Sequence, residues 1–249
     1  MRAVLWDLDG TLVDSDPMWV AAERRCAERH GVTWSDGLSR RLTAAPLPVC
    51  ARVLREAGVN ETDDRIIDSL IADVTRQYDL FPDSVPWTPG AWDLMTALVR
   101  EGIPSVLVTG SPRSLAERVV VAAPVGTFVG IVSGDDALAH KPDPAPYAAG
   151  VRVAGEWLGR QAGNQQQAGQ RQRTSAEIQS GYRLPDALSP GECLAFEDSA
   201  SGIASARAAG VRVIGVNACA RVPLDPTAVG CPVVSDLRAL DPLSSATPR

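Results

Sequence analysis

Short apolar runs recur along the chain, separated by longer stretches with helical spacing. The runs occupy residues 3–6, 104–108, 128–132, 193–196 and 211–216, each rich in β-branched residues or bounded by Gly or Pro. Between them, Leu94, Leu98 and Val99 form a helical stripe ahead of Gly102, and Leu115, Val119 and Val120 form another after Pro112. This alternation predicts βαβ units, hence an α/β fold: a Rossmann-like parallel sheet with helices on both faces. Ligands of such sheets bind beyond the carboxyl ends of the strands, so candidate chemistry belongs at those ends.

One stretch departs from the alternation. Residues 15–87 read as helical throughout, with Met18, Ala21, Ala22 and Arg25 on one helix, Val49, Val53 and Leu54 on a second, and Ile66, Ile67, Leu70, Ile71 and Val74 on a third. The expectation is an α-helical cap subdomain inserted directly after the first strand, placed to act as a lid. The α/β core then comprises residues 1–14 and 88–241. Residues 159–184 carry seven of the chain's eight Gln, together with Arg160, Arg171, Arg173 and Arg183, and only Ile178, Tyr182 and Leu184 are large and apolar. That is too little apolar surface to offset chain entropy, which predicts a disordered or loosely ordered insertion. Residues 242–249 are expected to fray as a tail.

Composition narrows the function. With 249 residues, 45% of them apolar and 22% charged, the chain suits one large domain or two unequal ones. A net charge of -6 disfavours nucleic acid as the main partner, because phosphate backbones need a basic surface. No stretch is apolar for long enough to span a membrane. The five cysteines are odd in number and far apart, with no C-x-x-C pair, so neither a disulfide framework nor a zinc site is indicated. A reducing cytoplasm is the simplest setting, Asp7 and Asp9 interrupt the one early apolar run that a signal peptide would need, and a monomer is expected.

The strand ends hold the chemistry. The first run closes in Asp7-Leu8-Asp9-Gly10-Thr11. Two carboxylates two residues apart repel unless protonated, separated or bridged, and a hard divalent cation such as Mg²⁺ is the natural bridge. The same composition also serves turns and helix caps, so the pair alone leaves both readings open. The second run ends in Thr109-Gly110-Ser111 before Pro112, where a hydroxyl, a close backbone approach and free N–H groups at a helix start suit a phosphoryl group. An ordinary Ser cap has the same composition. Lys141 is the only lysine of the chain and stands in a loop stiffened by Pro142 and Pro144, a compact point charge suited to a phosphate or a buried carboxylate. The fourth run ends in Glu197-Asp198-Ser199, a second acidic pair ahead of a small-residue helix that Gly210 terminates.

These four pieces, in this order, resemble the haloacid dehalogenase-like hydrolase superfamily, over residues 1 to about 220. The helical cap resembles that of sugar-phosphate and glycolate-phosphate phosphatases and of β-phosphoglucomutase. The resemblance implies that Asp7 is a nucleophile forming an aspartyl phosphate and that Asp9 protonates the leaving alkoxide and then activates water. It implies that Thr109 and Lys141, with Gly110 and Ser111 in the same loop, hold the phosphoryl group. Mg²⁺ would be bound by Asp7, Asp198 and the backbone carbonyl of Asp9, with Glu197 assisting. Dehalogenases of the superfamily lack the second aspartate, so Asp9 favours phosphate chemistry.

The implied activity is a Mg²⁺-dependent phosphatase acting on a small phosphorylated metabolite, a sugar phosphate in class. Two rivals stand beside it: a phosphomutase of the β-phosphoglucomutase type, and a regulatory protein that binds a phosphometabolite without turnover. Against the mutase, Trp19 stands where the mutase has a cap histidine, and Thr43 where it has a lysine. Trp19, Arg40 and Arg41 are the cap residues expected to touch substrate.

Overall fold

The structure, a computed structural model, describes residues 1–43, 45–81, 85–170, 187–220 and 222–240, with residues 165–170 described by their backbone alone. Six strands make one sheet: β1 (Ala3–Trp6), β2 (Ser105–Val108), β3 (Phe128–Val132), β4 (Cys193–Glu197), β5 (Arg212–Val216) and β6 (Val233–Val234). Every pairing is parallel, in the order β3-β2-β1-β4-β5-β6. The five runs read from the sequence are β1 to β5. The two residues of β6 are too few to show a period.

Alternation along β1 divides the core in two. Val4 and Trp6 face one apolar cluster, which includes the side chains of the cap; Ala3 and Leu5 face the other. Trp6 is fully buried: its indole N–H donates to the Ser105 hydroxyl at 3.1 Å and its ring lies 4.6 Å from that of Phe196.

Four helices lie between β1 and β2: α1 (Asp16–Arg29), α2 (Asp36–Leu42), α3 (Leu47–Glu56) and α4 (Asp63–Tyr78). This is the helical cap. The chain leaves and re-enters the core at neighbouring points, where Asp14 N–H donates to the Pro86 carbonyl at 2.8 Å and Thr88 N–H to that of Leu12 at 2.9 Å. Within the cap α4 packs on α1 and α3. Buried Asp73 of α4 is paired with Arg29 at 3.0 Å, and with Arg76. Helix α2 buries only Leu38 and Leu42, too few positions to reveal a stripe; the Ser35 hydroxyl caps it by accepting from Leu38 N–H at 3.2 Å.

The remaining helices are α5 (Ala91–Arg100), α6 (Arg113–Ala122), α7 (Ala145–Gln170), α8 (Ala200–Ala208) and α9 (Pro226–Val229). The expected loop over residues 159–184 is corrected in its first part, because α7 continues through Gln170. A polar sequence fails to bury itself, but Gln and Ala are good helix formers, and an existing helix extends at one hydrogen bond per residue. Residues 171–184 and the tail lie outside the described residues. Among the described residues no helix is long and apolar enough to cross a membrane, and all five cysteines are free.

Candidate active site

The chain winds from β1 outward to β3 and then crosses back to β4, so strand order reverses beside β1. A crevice opens at the carboxyl ends there. Asp7 follows β1 directly, its N–H donating to the Phe196 carbonyl at 3.1 Å. By alternation Asp7 shares the face of Ala3 and Leu5, and Glu197 that of Cys193 and Ala195. Both carboxylates therefore reach the same side, under α7 and α8.

Lys141 enters between them from the loop before α7. Its Nζ donates to Asp7 Oδ1 at 2.7 Å, Glu197 Oε1 at 2.6 Å and the Val108 carbonyl at 3.0 Å, which uses its three N–H groups. The Tyr147 hydroxyl of α7 donates to the same Glu197 oxygen at 2.7 Å, and its ring centre lies 5.1 Å from Nζ. Ser199 donates to Glu197 Oε2 at 3.1 Å while capping α8 through Gly202 N–H at 3.0 Å. A Cβ at Gly202 would run into the Glu197 carboxylate, which explains why small residues open α8. Gly10 has φ +80°, and a Cβ there would collide with the Asp198 carboxylate.

Asp7, Glu197 and Asp198 can each bring an oxygen within 4.8 Å of the others. One ammonium thus serves three carboxylates. Burial, then the Glu197 charge, pushes the Asp7 carboxyl up to about 7 despite Lys141. Burial, then Asp7 and Glu197, pushes Asp198 well above the usual range. Burial works to lower the Lys141 ammonium, but the two carboxylates hold it above an ordinary lysine, so it stays charged. Burial and Glu197 keep Tyr147 a neutral donor. The uncompensated negative charge and all-oxygen donor set fit a hard divalent cation such as Mg²⁺.

Asp9 lies apart from that trio. After Trp6 the chain turns through Gly10 and Asp9 bridges Val13, so the period-two relation to Asp7 no longer holds. Its Oδ1 accepts from the Ser15 hydroxyl at 2.6 Å and from the Trp19 indole N–H at 2.8 Å. Its Oδ2 accepts from the Ser111 hydroxyl at 2.6 Å and, at 3.4 Å, from Thr109. Ser111 therefore faces the crevice rather than capping α6, whose N-cap is Pro112. Exposed Gly110 lines the crevice beside it.

Core and cap enclose a cleft of about 600 Å³ lined by Asp7, Asp9, Trp19, Thr109, Lys141 and Asp198. Arg40 lines it as well. Arg41, expected beside it, is corrected: it pairs with Glu56 and borders a separate depression near His30. Successive residues of a helix do not share a face, so Arg40 and Arg41 cannot both point inward. Tyr147 and Ser15 also belong to the site, though the sequence does not single them out. Nothing local distinguishes Tyr147 from a core aromatic; for Ser15 the signal is its spacing of four from Trp19 on the first turn of α1.

A cation held by the folded chain alone stabilises it by about 2.7 kcal/mol at a hundredfold excess over Kd. For a chain of this size Mg²⁺ is therefore expected to raise Tm by about 5–10 °C. Asp198→Asn is expected to lose most of that shift in a melting experiment; an equal shift in both proteins refutes the assignment of the trio.

The haloacid dehalogenase-like hydrolase model matches residues 1–210. Hexitol phosphatase A of Escherichia coli is 26% identical, over 89% of this chain and 86% of its own. A phosphoglycolate phosphatase of Pseudomonas putida is also 26% identical, over 97% and 79%. The crystal structure of CbbY from Rhodobacter sphaeroides in complex with phosphate superposes with a TM-score of 0.71, at 21% identity and 95% coverage of both chains; at that identity it speaks for the fold. The chain belongs to the haloacid dehalogenase-like hydrolase family. With phosphatases among its relatives, it is an enzyme of the phosphoric monoester hydrolase class.

Proposed function

We propose that this enzyme is a Mg²⁺-dependent phosphatase that hydrolyses a small phosphorylated metabolite, a sugar phosphate in class, through an aspartyl phosphate on Asp7. The observation that carries the reading is the Lys141 ammonium clamped between buried Asp7 and Glu197. Lys141 holds Asp7 Oδ1, and the carboxylate's other oxygen is the attacking atom. As the Asp7–phosphorus bond forms, the bond to the ester oxygen breaks, and Asp9 gives that oxygen its proton. Asp9, then ionised, takes a proton from water; the water oxygen attacks phosphorus, and the Asp7–phosphorus bond breaks to release inorganic phosphate. Thr109 and Ser111, whose hydroxyls now rest on Asp9, donate to the phosphoryl oxygens with Lys141. Asp7, Asp198 and the Asp9 carbonyl would hold Mg²⁺, with Glu197 behind them; the ion neutralises charge on the phosphoryl group.

Trp19 favours water as the acceptor. An indole N–H donates but accepts no proton, so the cap presents no base there to activate a second sugar hydroxyl. The test is a release assay over a panel of phosphorylated metabolites. Mg²⁺-dependent liberation of inorganic phosphate with an equal amount of alcohol is expected. A phosphorylated isomer without free phosphate identifies a phosphomutase, and silence across the panel a binding protein.

A further inference from the structure

The mechanism above gives the Tyr147 hydroxyl no role. This side chain stands on the first turn of α7 and is fully buried, in the apolar cluster that also holds Ala3, Leu5 and Val108. Packing there needs the ring; the hydroxyl adds a desolvation cost unless it is bonded. Its partner is Glu197 Oε1 at 2.7 Å, the same oxygen that Lys141 Nζ reaches at 2.6 Å. The ring centre lies 5.1 Å from that Nζ, close enough for the ring face to attract the ammonium. Lys141 and Tyr147 are also tied together through the loop between them. Asp143 Oδ1 accepts from Ala145 N–H at 2.8 Å, and the Asp143 carbonyl accepts from the Ser205 hydroxyl of α8. The loop that carries the ammonium is thereby fixed to the helix that carries the phenol.

We infer that Tyr147 is a positioning residue for phosphoryl transfer: its hydroxyl takes up part of Glu197 Oε1 and its ring face braces the ammonium, so that Lys141 stays on Asp7 and the phosphoryl group instead of settling on Glu197. The inference rests on the phosphatase reading above. Asp7 at 2.7 Å and Glu197 at 2.6 Å share one ammonium at nearly equal distances. Hydrogen bonds that meet at one group polarise each other. Two donors on one oxygen divide its negative charge, so the phenol weakens the hold of Glu197 on Nζ. Ser199 accepts no part of that exchange; it donates to Oε2 at 3.1 Å and keeps the carboxylate from turning. Without the phenol, Oε1 has the ammonium to itself and draws it away from Asp7. Tyr147 touches no reacting atom and acts through Glu197 and Lys141 alone. Small displacements of this kind matter, because a misplacement of about 1 Å can cost about 100-fold in rate.

The single lysine makes its ammonium visible alone: protein labelled with ¹⁵N at the lysine side chain gives one Nζ resonance. Tyr147→Phe keeps the ring and the core contacts and removes the hydroxyl. It is expected to melt cooperatively and to move the Nζ resonance of the metal-free protein. With p-nitrophenyl phosphate and Mg²⁺ it is expected to lower kcat by about 10-fold and to change KM by less than about threefold. In a Lys141→Met background the same substitution is expected to cost less than about twofold, because the group it positions is gone. An Nζ resonance that stays in place overturns the inference, and so does a kcat within about twofold of wild type. An equal loss in the two backgrounds overturns it too, since the effect then bypasses Lys141. A variant without a cooperative melt makes the hydroxyl a folding element and likewise overturns it. All four outcomes leave the phosphatase reading standing. If wild type releases phosphate neither from p-nitrophenyl phosphate nor from any metabolite of the panel, that reading itself falls, and this inference with it.

Discussion

Asp7→Asn is expected to lower kcat for phosphate release by at least about 10⁴-fold, because an amide is a poor nucleophile and the remaining groups only position the substrate. Folding should survive the change, and in metal-free buffer stability should improve. In the folded chain burial and the Glu197 charge push the Asp7 carboxyl up to about 7, against an ordinary aspartate value of about 3.9. Between those values the folded chain holds a proton that the unfolded chain has released, so stability falls as pH rises through the window. The asparagine escapes that loss. Its advantage over wild type in EDTA is therefore expected to be absent near pH 4, to grow towards pH 7 and to stay level above it. Mg²⁺ should shrink the gap by supplying wild type with its missing positive charge. Turnover within tenfold of wild type excludes Asp7 as the nucleophile, and a stability gap that narrows with rising pH excludes the electrostatic account of the site.

Both results depend on features of unequal visibility in the sequence. The strand ends were legible because β1 to β4 are short apolar runs punctuated by Gly, Pro or acid, and parallel topology sends all their carboxyl ends to one edge. Lys141 stood out as the only lysine. Long-range contacts left no such mark. Tyr147 reaches Glu197 across 50 positions, and its helical setting looks like any buried aromatic. Asp9 seemed paired with Asp7 by strand spacing; the turn at Gly10 instead carries it to Ser15, Trp19 and Ser111. The cap was readable as helices but not as a surface. Period alone places Arg40 and Arg41 about 100° apart on α2 without saying which one faces the cleft, and Glu23, an ordinary charged residue of a helix in the sequence, is buried by the packing of the cap. Residues 159–170 show the converse: a polar stretch that buries little still continues a helix already formed.

Lys141→Met keeps most of the apolar stem of the side chain and removes its charge, and it is expected to have the largest effect on folding. Glu197 is fully buried and Asp7 is 7% exposed, and both depend on this ammonium. Removing one partner of a buried pair typically costs about 3–5 kcal/mol. In a chain of this size that lowers Tm by roughly 6–20 °C. The cost should grow as pH rises past about 7, because wild-type Asp7 then ionises beside the ammonium, whereas without Lys141 the buried carboxyl has to stay protonated or ionise alone. Activity should fall by at least about 10³-fold at neutral pH, since the nucleophile is held protonated and the phosphoryl group loses a cation. Lys141→Arg should not restore it. A planar guanidinium cannot point three donors at Asp7, Glu197 and the Val108 carbonyl from one atom, as the ammonium does. Excess Mg²⁺ should recover part of the stability but little of the turnover, because a cation beside the carboxylates replaces the charge of Lys141 without its directed bond to Asp7. A Lys141→Met protein that melts within about 2 °C of wild type at pH 8 would mean that the clamp contributes little to folding, and retained turnover would remove Lys141 from the mechanism.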